Sequence, residues 1–348
     1  MKVKISVPAT TANIGPGFDV LGLALQYNNE FLCEVNSTIA EDDWTVSFTE
    51  LVDKTVSAKM RTSLLQSPDN LVLKSYKEVF KQKGIEPLPV RIQAKIGIPL
   101  SRGLGSSSTA ILAGMTLANE ALRKLYENPF SNYDIFNMAC KMEGHPDNIA
   151  PALYGGLVLS MAERSVDSNA IRTINSTDAE QKADPKTKAD VTQYHALRIP
   201  VNAPVKLGGI VPHTSLATSE ARLVIQQTQP LSVVSFQSSR TAALTHLLAK
   251  QTWDEQDKKL FTIALDDKIH QDPRSALIPG MKETLTAWKK MGALGAYLSG
   301  AGTTLIGFWE LDADIENLGL RDPFLITNAG ATEIFPTIDS FGLTITYV

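Results

Sequence analysis

The sequence predicts a mixed α and β protein built in two units, on three observations. Its 348 residues exceed what one hydrophobic core usually organises. Stretches of alternating apolar and polar residues are interspersed with helical patterns along the chain. Around residues 90–125, a strand pattern runs into a turn of glycines and serines and then into a long helical pattern.

Composition narrows the function classes. Hydrophobic residues make up 43% and charged residues 20%, as in an ordinary soluble globular protein. A formal net charge of −4 without a basic stripe argues against nucleic acid or an anionic membrane surface as partner. Any positive site is therefore local. The two cysteines, Cys33 and Cys140, form neither a disulfide framework nor a metal cluster, and a reducing cytoplasm suits them. The N-terminus reads as a strand, not a signal peptide, and no apolar run is long enough to span a bilayer.

Val3, Ile5 and Val7 alternate with Lys2, Lys4 and Ser6, so the chain opens on a half-buried strand. Residues 8–19 are dense in glycine, proline and hydroxyls and form a tight loop. Its Asn13 and Asp19 are either turn formers or chemical groups. Leu21, Leu23, Leu25 and Tyr27 alternate again, and Asn28 with Asn29 suggests a hairpin into Phe31, Cys33 and Val35. Residues 45–48 read as a strand; 49–67 are polar and without pattern. Asp69 and Asn70 begin a helix that ends at Gly84, with Leu71, Val72, Val79 and Phe80 on its apolar face.

Val90, Ile92, Ala94, Ile96 and Ile98 alternate with Arg91, Gln93 and Lys95, the clearest strand in the chain. It leads into Pro99, Leu100, Ser101, Arg102, Gly103, Leu104, Gly105, Ser106, Ser107, Ser108 and Thr109. Gly103 and Gly105 permit backbone conformations closed to residues with a Cβ, and the serines are N-caps and hydroxyl ligands. Ala110, Gly114, Leu117, Ala121 and Leu125 then fall at helical spacing. Such a turn presents free N–H groups and the positive end of a helix dipole, which suits phosphate; the plainer alternative is a turn with an ordinary N-cap.

A second helix is predicted over 131–143 with Gly144 as C-cap, followed by a short turn, Gly155 and Gly156, and a strand over 157–161. Residues 164–193 are polar and read as an exposed hairpin insertion or a mobile loop. A second unit is expected from residue 197: a strand over 205–211, a helix capped near Thr214 or Ser215, and further helices to about residue 250 and over 253–270. The segment Asp272, Pro273, Arg274 breaks the last of these, and another helix starts after Pro279. Strands over 295–298 and 304–309 flank a second glycine turn, 299–303, where close approach of backbone to another domain or a ligand is the better reading.

Three glycine-rich segments in this order, 8–19, 99–109 and 298–303, resemble the motifs of the GHMP small-molecule kinases. The segment 144–156, which begins Gly144, His145, Pro146, Asp147, Asn148, is similar to the subgroup that phosphorylates homoserine. The resemblance implies an α+β fold, with an N-terminal domain of the ribosomal-protein-S5 type over 1–196 and a ferredoxin-like domain over 197–348. ATP would lie in the cleft between them. It also implies the activity, transfer of the γ-phosphoryl group of ATP to the side-chain hydroxyl of L-homoserine in threonine biosynthesis. A mevalonate or sugar kinase of the same family, or a catalytically silent nucleotide-binding relative, is the alternative. A homodimer is one option for its assembly.

Carried over residue by residue, the resemblance puts 99–109 around the ATP phosphates, with Ser107 and Glu143 holding Mg²⁺. Some relatives carry the acid at the position of Asn137. Asn70 would read adenine, or else simply start its helix. Asn13, Asp19, His145, Arg222 and Arg274 would form the amino-acid pocket: Asp19 for the ammonium, Asn13 and His145 for the hydroxyl or amino end, the arginines for the carboxylate. Taken alone, Arg222 is a solvated helix residue and Arg274 a cap for a neighbouring helix. Thr218 joins Asp19, Ser107 and Glu143 at the reacting end. Family loops often carry alanine where Ser108 and Thr109 stand here, and proline at Thr303. The expected mechanism is positioning, without a strong catalytic base.

Overall fold

The computed structural model describes residues 1–36, 45–51, 70–164, 191–326, 328 and 330–348. Strands β1 (Lys2–Ala12), β2 (Leu21–Val35), β3 (Thr45–Leu51), β4 (Val90–Ile96), β5 (Leu157–Arg164), β6 (Val191–Ile199) and β11 (Thr344–Tyr347) form one sheet. Its path is β11-β1-β2-β4-β3, with β5 pairing β2 and β6 pairing β5. The alternation seen in the sequence is the pleat: Val3, Ile5, Val7, Ile92, Ala94 and Ile96 point inward. Helices α1 (Leu71–Lys83), α2 (Ser106–Tyr126), α3 (Asn132–Glu143) and α4 (Ile149–Tyr154) supply the other half of that core through Val79, Phe80, Leu117, Phe136 and Ala150.

The local signals act as read. Asn70 caps α1, its Oδ1 accepting the Val72 and Leu73 amides, and Gly84 ends the helix left-handed. Ser131 and Asp134 form a capping box for α3, and Gly144 ends it. The expected hairpin at Asn28 and Asn29 does not form: β2 runs unbroken over 15 residues. Its pairing carries the adjustment instead, with a bulge between Pro8 and Ala9 opposite Asn28 and Leu25. The Asn29 side chain points into the protein, where it is 1% exposed and fully engaged, so it has no reason to turn the chain.

A four-stranded antiparallel sheet, β10-β7-β9-β8, comprises β7 (Val205–Pro212), β8 (Gly295–Leu298), β9 (Leu305–Glu310) and β10 (Ala331–Ile334). Between β7 and β8 lie α5 (Thr218–Leu223), α6 (Leu231–Ala249), α7 (Glu255–Ala264), α8 (Gln271–Ser275) and α9 (Met281–Lys290); α10 (Asp322–Leu325) lies between β9 and β10. That strand order and connection pattern is ferredoxin-like. Helix α5 starts at Thr218, not at Thr214 or Ser215, and Pro273 is accommodated inside the short α8.

The expected division after residue 196 falls within β6, which continues in the first sheet to Ile199. The chain also returns there at its end, where β11 pairs with β1. The polar stretch expected as an insertion lies, over 165–190, outside the described residues; its two flanks are the antiparallel β5 and β6.

One hydrophobic cluster is shared by both sheets. Ala9, Leu23 and Leu25 of the first sheet, and Ile14 after β1, pack with Tyr297 and Phe308 of the second sheet and with Leu244 and Phe261 of its helices. The two units therefore lack separate cores along this seam. Phe261→Ala is expected to cost roughly 3–5 kcal/mol, and calorimetry should show one cooperative transition moved to lower temperature. Two transitions with only one displaced would contradict a shared core.

Candidate active site

The three glycine segments meet in one place, at the seam between the sheets. Gly103 (φ +76°) and Gly105 (φ +69°) are left-handed, and the space around them is taken. A Cβ on Gly103 would collide with the Ser299 carbonyl oxygen, and one on Gly105 with the Thr10 hydroxyl. Backbone bonds cross the junction: Thr10 N–H donates to Leu104 O (3.2 Å), Gly300 N–H to Ala12 O (3.0 Å) and Thr304 N–H to Arg102 O (3.1 Å). The Ser299 hydroxyl donates to Gly103 O at 2.6 Å and lies 2.8 Å from Thr11 Oγ1. The close approach expected of the 299–303 turn is thus to the other two glycine segments.

Gly105 is the N-cap of α2 and has no side chain to cap it, so the first-turn amides are left to the cleft. Ser107 and Ser108 donate to the same carboxylate oxygen of Glu143, at 2.6 and 3.1 Å. Asn137 is committed elsewhere: it accepts the Tyr194 N–H and donates to the carbonyls of Tyr133 and Tyr194, tying α3 to β6. Arg102, expected at the phosphates, is only 5% exposed and donates to the carbonyls of Leu100, Pro212 and His213. Its guanidinium anchors the loop to β7, a structural task that the motif alone does not reveal.

A cleft of about 400 Å³ opens over the loop. Leu100 through Ser107 line it, but Pro99, Ser108 and Thr109 do not; the latter two point into the protein and are fully buried. One end is apolar, with Phe31, Val46, Phe48, Leu71 and Ile96 beside Asn70. The other end gathers Asn13, Asp19, Glu143, His145, Thr218, Arg222 and Arg274 from four separate parts of the chain.

That polar end is organised by two ion pairs the sequence did not announce. Arg222 holds Asp19 bidentately, at 2.6 and 3.0 Å. Burial lowers the Arg222 pKa, but the hydrogen bonds and charge of Asp19 outweigh it and raise the value. His145 Nδ1 is hydrogen-bonded to Asp147 Oδ1. Burial works against the imidazolium, yet the charge and hydrogen bond of Asp147, aided by Asp19 and Glu143, lift its pKa to about 9. In return Asp147, itself buried, is held below the usual carboxylate range by His145. The spacing of His145 and Asp147, two residues apart beside a proline, is the signal that could have found Asp147.

Arg274 is 2% exposed. It donates to Ala221 O (3.1 Å) at the end of α5 and to Gly300 O (2.8 Å) in the third glycine segment. It therefore does cap a neighbouring helix while lining the cleft. Burial, then the nearby Arg222, lower its pKa to about 10, which still leaves it cationic at neutral pH. His270, fully buried and not anticipated, supports it: Arg274 donates to His270 Nδ1 (3.2 Å), and Nε2–H donates to Gly15 O (2.8 Å). Asn13 donates to Gly300 O (3.0 Å) and accepts the Asp19 N–H (3.1 Å).

The chain is similar to known proteins over most of its length. Residues 70–156 match the family model "GHMP kinases N terminal domain", and residues 244–319 match "GHMP kinases C terminal". A homoserine kinase of Picosynechococcus sp. is 36% identical over 87% of this chain and 86% of its own. One from Halothermothrix orenii is 30% identical over 97% and 94%. Among solved structures, a homoserine kinase from Cytophaga hutchinsonii superposes with a TM-score of 0.72 at 26% identity, over 99% of this chain and 97% of that one. A mevalonate kinase, 12% identical with a TM-score of 0.61, shares the fold.

The His145–Asp147 pair has a pH signature. The folded His145 pKa lies above its ordinary 6.5, so its contribution to stability is complete below 6.5 and is lost as pH rises through about 9. In Asp147→Asn, the nuclear magnetic resonance titration of His145 should move down from about 9, and the corresponding fall in stability with rising pH should disappear. An unchanged midpoint would show that Asp147 is not its partner.

Proposed function

The chain belongs to the GHMP kinases, and from that premise we propose that it transfers the γ-phosphoryl group of ATP to the side-chain hydroxyl of L-homoserine. The observation that carries this reading is a single cleft holding an uncapped helix N-terminus at one point and paired acids and arginines at another. The first suits a polyphosphate. The second suits an amino acid, whose ammonium and carboxylate are complementary to Asp19 and Arg222. Those two residues are already paired with each other, so the zwitterion exchanges one ion pair for two without uncovering a lone charge.

In this reading the amides of 103–108 and the α2 dipole bind the ATP phosphates, and the apolar end beside Asn70 takes the adenine. The Ser107 hydroxyl and Glu143 carboxylate, 2.6 Å apart, are a hard oxygen pair of the kind Mg²⁺ selects, and they would hold it. Bound there, Mg²⁺ neutralises charge on the phosphate oxygens. Arg222 and Arg274 orient the substrate carboxylate, and Asp19 its ammonium. Asn13 and His145 Nε2 direct the hydroxyl end, His145 being steadied through Nδ1 by Asp147. Thr218 borders the same space. Each carboxylate here is engaged, Asp19 with Arg222, Asp147 with His145, and Glu143 with two hydroxyls. No strong base is required, because phosphoryl transfer depends mainly on alignment and charge neutralisation.

No helix among the described residues is long and apolar enough to cross a membrane, and the two buried free thiols suit a reducing cytoplasm.

A coupled assay with L-homoserine, L-serine, L-threonine and mevalonate should give turnover dominated by L-homoserine. Phosphorylation of mevalonate but not homoserine would overturn the substrate assignment. Glu143→Gln should lower kcat by about 10²-fold and raise the Mg²⁺ concentration needed for half-maximal rate. A pH–rate profile with an essential base of raised pKa, vanishing in Asp19→Asn, would contradict catalysis by positioning.

A further inference from the structure

We propose that Asn29 is a positioning residue for the nucleotide, its side-chain amide bridging the two ends of the glycine-serine loop. The proposal rests on the nucleotide reading of that loop. Asn29 sits in β2, opposite Ile96, the last residue of β4. Its Oδ1 accepts the N–H groups of Gly97 (3.0 Å) and Ile98 (3.1 Å), where the chain leaves the strand for the loop. Its Nδ2 donates to Thr109 Oγ1 (2.7 Å) and faces Ser106 Oγ (3.4 Å), where the chain enters α2. One amide thus joins the strand exit to the helix entrance across the loop, and Thr109 passes the connection on by donating to Ser106 O at 2.7 Å.

The chemistry fits an amide and little else. A primary amide offers two acceptor sites on oxygen and two donors on nitrogen, and here all four are used. Asparagine in the interior of a strand is unfavourable, and a buried amide is tolerated only when satisfied in this way. Aspartate would keep the oxygen side but lose both donors and add a negative charge beside a phosphate site. Leucine would leave the amides of half-buried Gly97 and buried Ile98 at the loop entrance without this acceptor. Thr109, which stands where the resembling family often has alanine, supplies the hydroxyl that Asn29 grips. Ser106 is followed directly by Ser107, whose hydroxyl contacts Glu143, so slack at the helix entrance reaches the phosphate-facing groups.

The test measures binding of ADP with Mg²⁺ by calorimetry on the intact chain, alongside melting temperature and the KM for L-homoserine. Thr109→Val keeps the shape and removes the hydroxyl, Thr109→Ser keeps the hydroxyl, and Asn29→Asp keeps only the acceptor side. Thr109→Val and Asn29→Asp should each weaken ADP by about tenfold, while the KM for homoserine stays within about twofold and Thr109→Ser restores wild-type affinity. Unchanged ADP affinity in Thr109→Val, or equal losses in the valine and serine variants, would overturn the proposal. So would a loss of affinity fully accounted for by unfolded protein at the assay temperature. Wild-type protein that binds ADP but does not phosphorylate homoserine overturns the substrate assignment alone, and the calorimetry still decides the role of Asn29.

Discussion

Everything else in this protein depends on the close approach of three backbone segments, at Thr10 to Ala12, at Gly103 to Gly105, and at Ser299 to Gly302. Their carbonyls and amides are buried between two sheets, where an unpaired backbone group costs much of a hydrogen bond's worth. They are satisfied by one another, and only because the glycines leave room: any side chain at 103 or 105 would occupy the space of the partner segment. The glycine-serine loop is therefore a corner of the interior, held by segments of both domains, and α2 begins at the cleft without a side-chain cap.

The same constraint explains the charged end of the cleft. Arg274 and His270 are buried because they complete the bonding of Gly300 and Gly15, the backbone of the junction itself. Placing an arginine there brings a second cation, Arg222, and two carboxylates, Asp19 and Asp147, into reach. Withdrawing charged groups from water is costly. Specific partners offset that cost, Arg222 for Asp19, His145 for Asp147, and the Ala221 and Gly300 carbonyls with His270 for Arg274. Under the function proposed above, a ligand that enters would have to offer equivalent partners, as a small zwitterion does and an uncharged alcohol does not.

Local signals were read correctly wherever the physics is local. The pleat of β4, the capping box at Ser131, the C-caps Gly84 and Gly144, and the glycine turn before α2 each follow from a few neighbouring residues. The hairpin at Asn28 and Asn29 was misread for the complementary reason. Asparagine favours turns when its side chain must satisfy its own backbone, but Asn29 satisfies amides 68 residues and more away in sequence. Arg102 lines the cleft but also clamps the loop through the carbonyls of Leu100, Pro212 and His213, contacts that its place in the motif does not announce.

The sequence by itself determined the alternation of strands and helices, the glycine-serine turn before α2, and the identity of most residues that line the cleft. These depend on periodicity, on the conformational freedom of glycine, and on resemblance carried by short contiguous motifs. Only the tertiary structure decided the pairings Asp19 with Arg222, His145 with Asp147, and Asn29 with Thr109, and the direct hydrogen bond between Ser107 and Glu143. It also decided that β11 returns to the first sheet and that Arg102 is a clamp. Charges and hydrogen-bonding groups act over a few ångströms in space, and no spacing along the chain reveals which distant groups the fold brings within that distance.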